Sequence, residues 1–147
     1  MHKITPFLWF DGRLEEAVAF YTGVFKNARV EYVNARSAAF EIEGQAFMAF
    51  NGGPHFKFNE AVSFFIRCAT QEEVDYFWTR LTEGGGAESR CGWLKDRFGV
   101  SWQVIPDTLT KYLADPDRAK AERVMQAMMK MRKIDIAALE AAYGREG

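Results

Sequence analysis

Histidine and cysteine are scarce in this chain: 147 residues contain two of each. Cys68 and Cys91 lack the paired spacing of a metal site. His2 stands at a terminus and His55 in a polar stretch, so both are expected at the surface and not in a metal centre. No charged-then-apolar leader opens the sequence, and no uninterrupted apolar span is long enough to cross a bilayer. A protein of the reducing cytoplasm with no membrane partner is expected. The 19 basic and 20 acidic residues nearly cancel, and they are interspersed instead of forming a basic stripe, which excludes the electrostatic footprint of a nucleic-acid binder. Gly84-Gly85-Gly86 lacks the spaced glycines and the following Lys-Ser or Lys-Thr of a phosphate cradle, and reads as a turn.

What the chain does have is apolar bulk, with 48% hydrophobic and 15% aromatic residues. That is enough for one folded domain with a real core. It also repeats itself. Phe7-Leu8-Trp9-Phe10 followed by Glu16-Ala17-Val18-Ala19-Phe20-Tyr21 is echoed 57 residues later by Phe64-Phe65-Ile66-Arg67 and Glu73-Val74-Asp75-Tyr76-Phe77-Trp78. Gly44 to Phe50 is echoed 55 residues later by Gly99 to Ile105. A duplicated sheet unit of this kind is expected to place equivalent positions around one central cavity.

Each copy reads as β-α-β-β-β, an α+β architecture. In the first, residues 4–10 form a nearly continuous apolar strand and Asp11-Gly12 a turn. Leu14, Ala17, Val18, Tyr21 and Phe25 then recur at helical spacing, with Glu15 and Glu16 at the helix start. Three strands follow near 28–33, 36–43 and 45–50, ended by Asn51-Gly52-Gly53-Pro54. In the second copy a strand over 61–67 leads to a helix over 71–83, where Thr70 and Glu73 make a capping box. Its last hairpin turns at Asp96-Arg97-Phe98-Gly99 and stops at Pro106.

Beyond Pro106 the periodicity is helical. Asp115-Pro116 signals a helix start, Ala121, Val124, Met125, Met128 and Met131 form an apolar stripe, and a short helix after Asp135 carries Ile136, Leu139 and Tyr143 to Gly144. The organisation expected is a single domain over 1–147, with units at about 1–54 and 58–106 and a helical tail over 107–147. The tail is too short for its own core, so it must cover the sheet domain or a second subunit.

Phe10-Asp11-Gly12 with Glu16-Ala17 and Phe20-Tyr21, the run Trp93-Leu94-Lys95-Asp96-Arg97-Phe98-Gly99-Val100-Ser101-Trp102-Gln103-Val104-Ile105-Pro106, and the tail from Met128 to Leu139 resemble the PhnB-like branch of the vicinal oxygen chelate superfamily. That branch carries the label 3-demethylubiquinone-9 3-methyltransferase-like and shares the fold of glyoxalase I, the bleomycin-resistance proteins and dihydroxybiphenyl dioxygenase. The resemblance implies a metal site in some relatives, built from a histidine on the first strand of each unit and a glutamate on the last. Carried over by position, these sites fall at Pro6, Met48, Ser63 and Gln103. Proline offers no ligand, methionine is a soft sulfur, and neutral Ser and Gln oxygens hold divalent ions poorly. No metal or other cofactor is therefore expected.

Strand alternation suggests what lines the cavity instead. If Gln103 faces inward, so do Ser101 and Ile105, and the same period of two adds Leu8, Phe10, Ala46, Phe50, Phe65 and Arg67. In this mostly apolar set Gln103 and Ser63 can donate or accept hydrogen bonds, Met48 and the rings supply apolar wall, and Arg67 suits an anionic group. These side chains either form a small-molecule pocket or fill the space between sheets. Cys91 has no base beside it in sequence and reads as a structural thiol; Asp96 and Arg97 read as turn residues. The favoured function is a metal-free small-molecule binder acting as a homodimer. The alternatives are a lyase or dioxygenase with a relocated metal, a methyltransferase as the family label has it, or a scaffold that works through its tail. A methyltransferase of the usual kind would need a doubly wound sheet with a glycine-rich first turn, and neither is legible.

Overall fold

A computed structural model describes residues 2–145. It contains two compact units, Met1–Phe58 and Asn59–Gly147.

In the first unit the order is β1 (Phe7–Phe10), α1 (Leu14–Val24), β2 (Ala28–Val33), β3 (Ser37–Ile42) and β4 (Gln45–Asn51). The sheet order is β1-β4-β3-β2, with β1 parallel to β4 and the other neighbours antiparallel. The helix forms because Leu14, Ala17, Val18, Tyr21 and Val24 fall on one stripe, all of them buried. Its stripe meets the sheet face that carries Leu8, Phe10, Phe40, Phe47 and Ala49. Tyr21 lies parallel to Phe40 at 6.3 Å between ring centres, and Phe40 to Phe47 at 5.4 Å. The Asn51 carboxamide ties the layers by accepting from Leu14 N at 3.1 Å and donating to Ala35 O at 2.9 Å.

The second unit repeats the order with β5 (Ser63–Cys68), α2 (Gln71–Thr82), β6 (Ala87–Glu88), β7 (Trp93–Lys95) and β8 (Ser101–Pro106), in the sheet order β5-β8-β7-β6. Thr70 caps α2, while Glu73 reaches one residue past the cap. Thr70 Oγ1 accepts from Glu73 N at 3.2 Å, and Glu73 Oε1 accepts from Ala69 N at 3.0 Å. Val74, Trp78 and Leu81 of α2 are buried, as are Cys68, Leu94, Trp102 and Val104 on the sheet face that α2 covers. In the β7–β8 turn Asp96 is only 2% exposed, because its carboxylate accepts from Phe98 N, Val100 N and Trp102 Nε1. Gly99 takes φ 89°, the left-handed position such a turn requires.

The tail belongs to this second unit. Its first helix lies ahead of the one that Asp115-Pro116 signals in the sequence. A helix α3 (Asp107–Leu113) starts straight after Pro106, and α4 (Arg118–Met128) is capped by Asp117, which accepts from Ala119 N and Lys120 N. Asp115 serves another purpose: it accepts from Asp117 N at 2.8 Å and from Tyr143 Oη at 2.5 Å, which pins α5 (Ile136–Gly144). Val124, Ile134 and Leu139 bury themselves against Leu109 and Ile105. Two further ties anchor the segment between α4 and α5. Gln71 on α2 donates to Ile134 O at 2.9 Å and accepts from Ile136 N at 2.8 Å. Arg132 O and Met131 O accept from Gly92 N and Cys91 N.

Candidate functional site

Hydrogen-bond register decides which side chains share a sheet face. In the second unit Phe65 on β5 stands opposite Gln103 on β8, and Trp93 on β7 stands opposite Gln103 from the other side. The three form one row, Phe65-Gln103-Trp93, on the face turned away from α2. Ser63, Arg67, Ser101 and Ile105 share that face. Gln103 Nε2 donates to Ser63 Oγ at 3.0 Å, which fixes the carboxamide across the sheet. The hydroxyl of Ser101 is buried without a hydrogen-bond partner.

This row forms one side of an open cavity of about 490 Å³. Phe65, Trp93, Gln103 and Ile105 of the sheet and Cys91 just before β7 line it, with Leu109, Thr110 and Leu113 of α3, Ala114 just after it and Met128 of α4. The tail is thus part of the cavity wall, which the sequence did not indicate because nothing in its apolar stripe says which surface it meets. Cys91 reaches its place through a left-handed backbone, φ 58°, held by Met131 O. Gly92 beside it takes φ 84°, where a side chain is strained, and a Cβ there would also stand 3.0 Å from Val104 O.

Arg67 lies outside this lining. Its side chain is 78% exposed and ion-paired with Asp107 Oδ1 at 3.3 Å. Lys95, on the same face of the sheet, pairs with Glu60, and the Lys95 hydrogen bond draws the Glu60 carboxyl below its ordinary value. Cys68 is buried on the α2 side; burial, with Glu73 and Asp107 adding to it, pushes its thiol up to about 12.

In the first unit the register corrects the phase of the opening strand. Phe7 pairs with Met48, Leu8 with Ala49, Trp9 with Phe50 and Phe10 with Asn51. Leu8 and Phe10 are therefore on the α1 side, 7% and 3% exposed, and do not share a face with Met48 and Phe50 as alternation from Gln103 had suggested. Phe7 and Trp9 take that face, each ring edge-on to Phe50 at 5.2 and 4.8 Å. Since Met48 corresponds to Gln103, Phe7 corresponds to Phe65, a spacing of 58 residues, whereas Tyr21 and Trp78 on the helices stay 57 apart. One residue more separates strand from helix in the first unit. The run Phe7-Leu8-Trp9-Phe10 is apolar at every position, so periodicity alone could not phase it. By this register Ser63 corresponds to Thr5 and not to Pro6.

A family model, that of 3-demethylubiquinone-9 3-methyltransferase, matches residues 2–105. The PhnB protein from Bacillus cereus is 32% identical, over 71% of this chain and 99% of that one, with a TM-score of 0.67. The chain belongs to this PhnB-like family. Two more distant likenesses show a shared fold. They are the fosfomycin resistance protein FosX from Mesorhizobium loti (19% identity, 78% of this chain and 99% of that one, TM-score 0.57) and a glyoxalase-related enzyme from Fulvimarina pelagi (16%, 72% and 88%, TM-score 0.54). No curated protein matches the chain.

The metal that some members of the vicinal oxygen chelate superfamily carry does not suit the side chains of this PhnB-like protein. The corresponding positions offer a threonine or proline, a thioether, a serine hydroxyl already accepting from Gln103, and a neutral carboxamide. None is anionic, and a hard divalent cation needs carboxylate or imidazole donors. Among the described residues no group of three or more His, Cys, Asp or Glu side chains could hold a metal ion. None of the described helices is long and apolar enough to cross a membrane.

Proposed function

We propose that this PhnB-like protein is a metal-free binder of small molecules, and that the cavity between the second sheet and the tail is where the ligand sits. The observation that carries this reading is the pairing of a mostly apolar hollow of about 490 Å³ with one oriented carboxamide, that of Gln103. Ligand sites of soluble proteins typically enclose ~300–1,000 Å³ and combine apolar walls with a few placed polar groups. Ser63 holds Gln103; Phe65, Trp93 and Ile105 supply contact area. In the first unit Met48 and Phe50, which share a sheet face, are proposed as ligand-contacting side chains of that unit. Leu8 and Phe10 belong to the α1 core, and Arg67, held by Asp107, is left out of the ligand set. The two units are taken to work as one domain.

The methyltransferase in the family's description has no support in the architecture, because two mixed four-stranded sheets are not the doubly wound parallel sheet that cradles a nucleotide-type cofactor. We further propose a homodimer in a reducing cytoplasm. Exposed Val30, Tyr32 and Val33 on the edge strand β2 favour pairing, since apolar edges left open invite it.

Calorimetry and thermal-shift screening of the full chain against divalent metals and a metabolite set test the reading. Binding of a neutral metabolite without added metal is expected. A large shift with one divalent metal that Gln103→Leu abolishes would overturn it. Light scattering of the purified chain reads the oligomeric state.

A further inference from the structure

The row Phe65-Gln103-Trp93 also says what kind of molecule the cavity takes, an inference that rests on the small-molecule reading above. The two aromatic residues flank Gln103 on neighbouring strands. Their backbones are two strand spacings apart, roughly 10 Å. The register therefore sets one aromatic residue on either side of the carboxamide, and all three line the cavity. None of the residues lining the cavity is Lys, Arg, His, Asp or Glu. The two cations on this face of the sheet, Arg67 and Lys95, are each engaged by a carboxylate, Asp107 and Glu60. A charged ligand would lose its hydration in the cavity with no counter-ion to replace it, a cost that apolar contact does not offset.

The carboxamide is only partly satisfied. Among the described residues Ser63 is its one hydrogen-bond partner, taking one N–H and leaving the Oε1 acceptor and the second N–H open. A ligand hydroxyl or amide placed against Gln103 fills that valence. A hydrocarbon of the same shape leaves it desolvated and unpaired.

We propose that the cavity selects a planar, uncharged ring compound bearing one hydroxyl or amide group, with Phe65 and Trp93 walling the ring and Gln103 reading the polar group. The test uses four probes of one skeleton at pH 7: naphthalene, 2-naphthol, 2-naphthoate and 2-naphthylmethylammonium. Calorimetry gives the affinities, and the Trp93 indole and Gln103 carboxamide resonances give the site. 2-Naphthol is expected to bind about fivefold more tightly than naphthalene, the worth of one neutral hydrogen bond, and both ions more weakly than either. In Gln103→Leu the preference for naphthol over naphthalene should fall to about one while naphthalene still binds. Ser63→Ala, which leaves the Gln103 side chain in place but unheld, should lose part of it. Tighter binding of the carboxylate or the ammonium, or an unchanged preference in Gln103→Leu with a native melting temperature, overturns the proposal and leaves the small-molecule reading standing. Failure of all four probes to bind overturns the proposal alone, and the small-molecule reading falls only if the metabolite set fails as well.

Discussion

The indole nitrogen of Trp102 donates to Asp96 Oδ2 at 2.9 Å, joining the start of the last hairpin turn to the strand that leaves it. The same carboxylate accepts Phe98 N and Val100 N through Oδ1. One side chain therefore sets both the turn and the seat of β8, on which Gln103 stands next to Trp102.

Asp96→Ala should leave two backbone donors and one indole donor without that carboxylate. A loss of about 2–4 kcal/mol in stability is expected from such a buried deletion, read as a lower urea midpoint at unchanged slope. A midpoint within experimental scatter of the parent would show that the turn holds without the carboxylate.

Two glycines should respond to alanine with opposite signs. Gly23 lies exposed in α1, and a Cβ added there would meet nothing within 4 Å, so Gly23→Ala should stabilise by about 0.5–1 kcal/mol. A Cβ on Gly86 would stand 2.7 Å from Lys95 O and 2.8 Å from Thr82 Cα. Backbone atoms cannot give way cheaply, and Gly86→Ala should cost about 2 kcal/mol or more. Thermal melts of the two variants side by side check the sign.

Gln71 holds the tail to α2 through both ends of its carboxamide. Gln71→Leu keeps much of the volume but leaves Ile134 O and Ile136 N without their partner. Hydrogen exchange at the Ile136 amide should quicken by at least about tenfold, with exchange in β1 to β4 unchanged. Equal exchange at Ile136 in both proteins would count against the tie.

The two cysteines should separate chemically. With its thiol pushed up to about 12, native Cys68 is thiolate in on the order of one molecule in ten thousand at pH 8. Iodoacetamide at pH 8 should label the partly exposed Cys91 first, and Cys68 only after unfolding, as peptide mass spectrometry would read. Labelling of Cys68 in the folded protein at a comparable rate contradicts the burial.

The tail should loosen at both extremes of pH. Hydrogen bonds from Gln71 and Lys133 lower Asp75, and the Tyr143 hydroxyl lowers Asp115. Depressed carboxyls contribute stability that is present above their unfolded value and lost as pH falls through the folded one, so this anchoring fades below about pH 4. Tyr143 is raised, chiefly by its hydrogen bond to Asp115. Its share is complete below the ordinary tyrosine value of about 10 and is lost above it. These groups are exposed, so the effect is small and local. Limited proteolysis across the pH range should cut the α4–α5 segment sooner at either end than at neutrality.

Much of the architecture was legible in the chain. Helix stripes such as Leu14, Ala17, Val18 and Tyr21, the Thr70 cap and the Asp96-to-Gly99 turn are local signals, and the structure has them where the spacing puts them. The family was legible for the same reason, since its motifs lie in those turns. Phase was not, where a strand is apolar at every position, and Leu8 and Phe10 went to the wrong face on that account. The tail starts where the sequence puts it, but the helix signalled at Asp115-Pro116 is capped by Asp117 instead, because Asp115 is partnered by Tyr143. The cavity wall from α3 and α4 depends on tertiary docking, which no local pattern encodes.

Leu109, Leu113 and Met128 stand on one side of the hollow, and the chain that carries them is fastened elsewhere by Gln71, Gly92 and Asp115. Occupancy and tail attachment are thus two faces of a single equilibrium: any guest that touches these helices disfavours their detachment, and whatever prises the tail away weakens the guest's hold by the same factor.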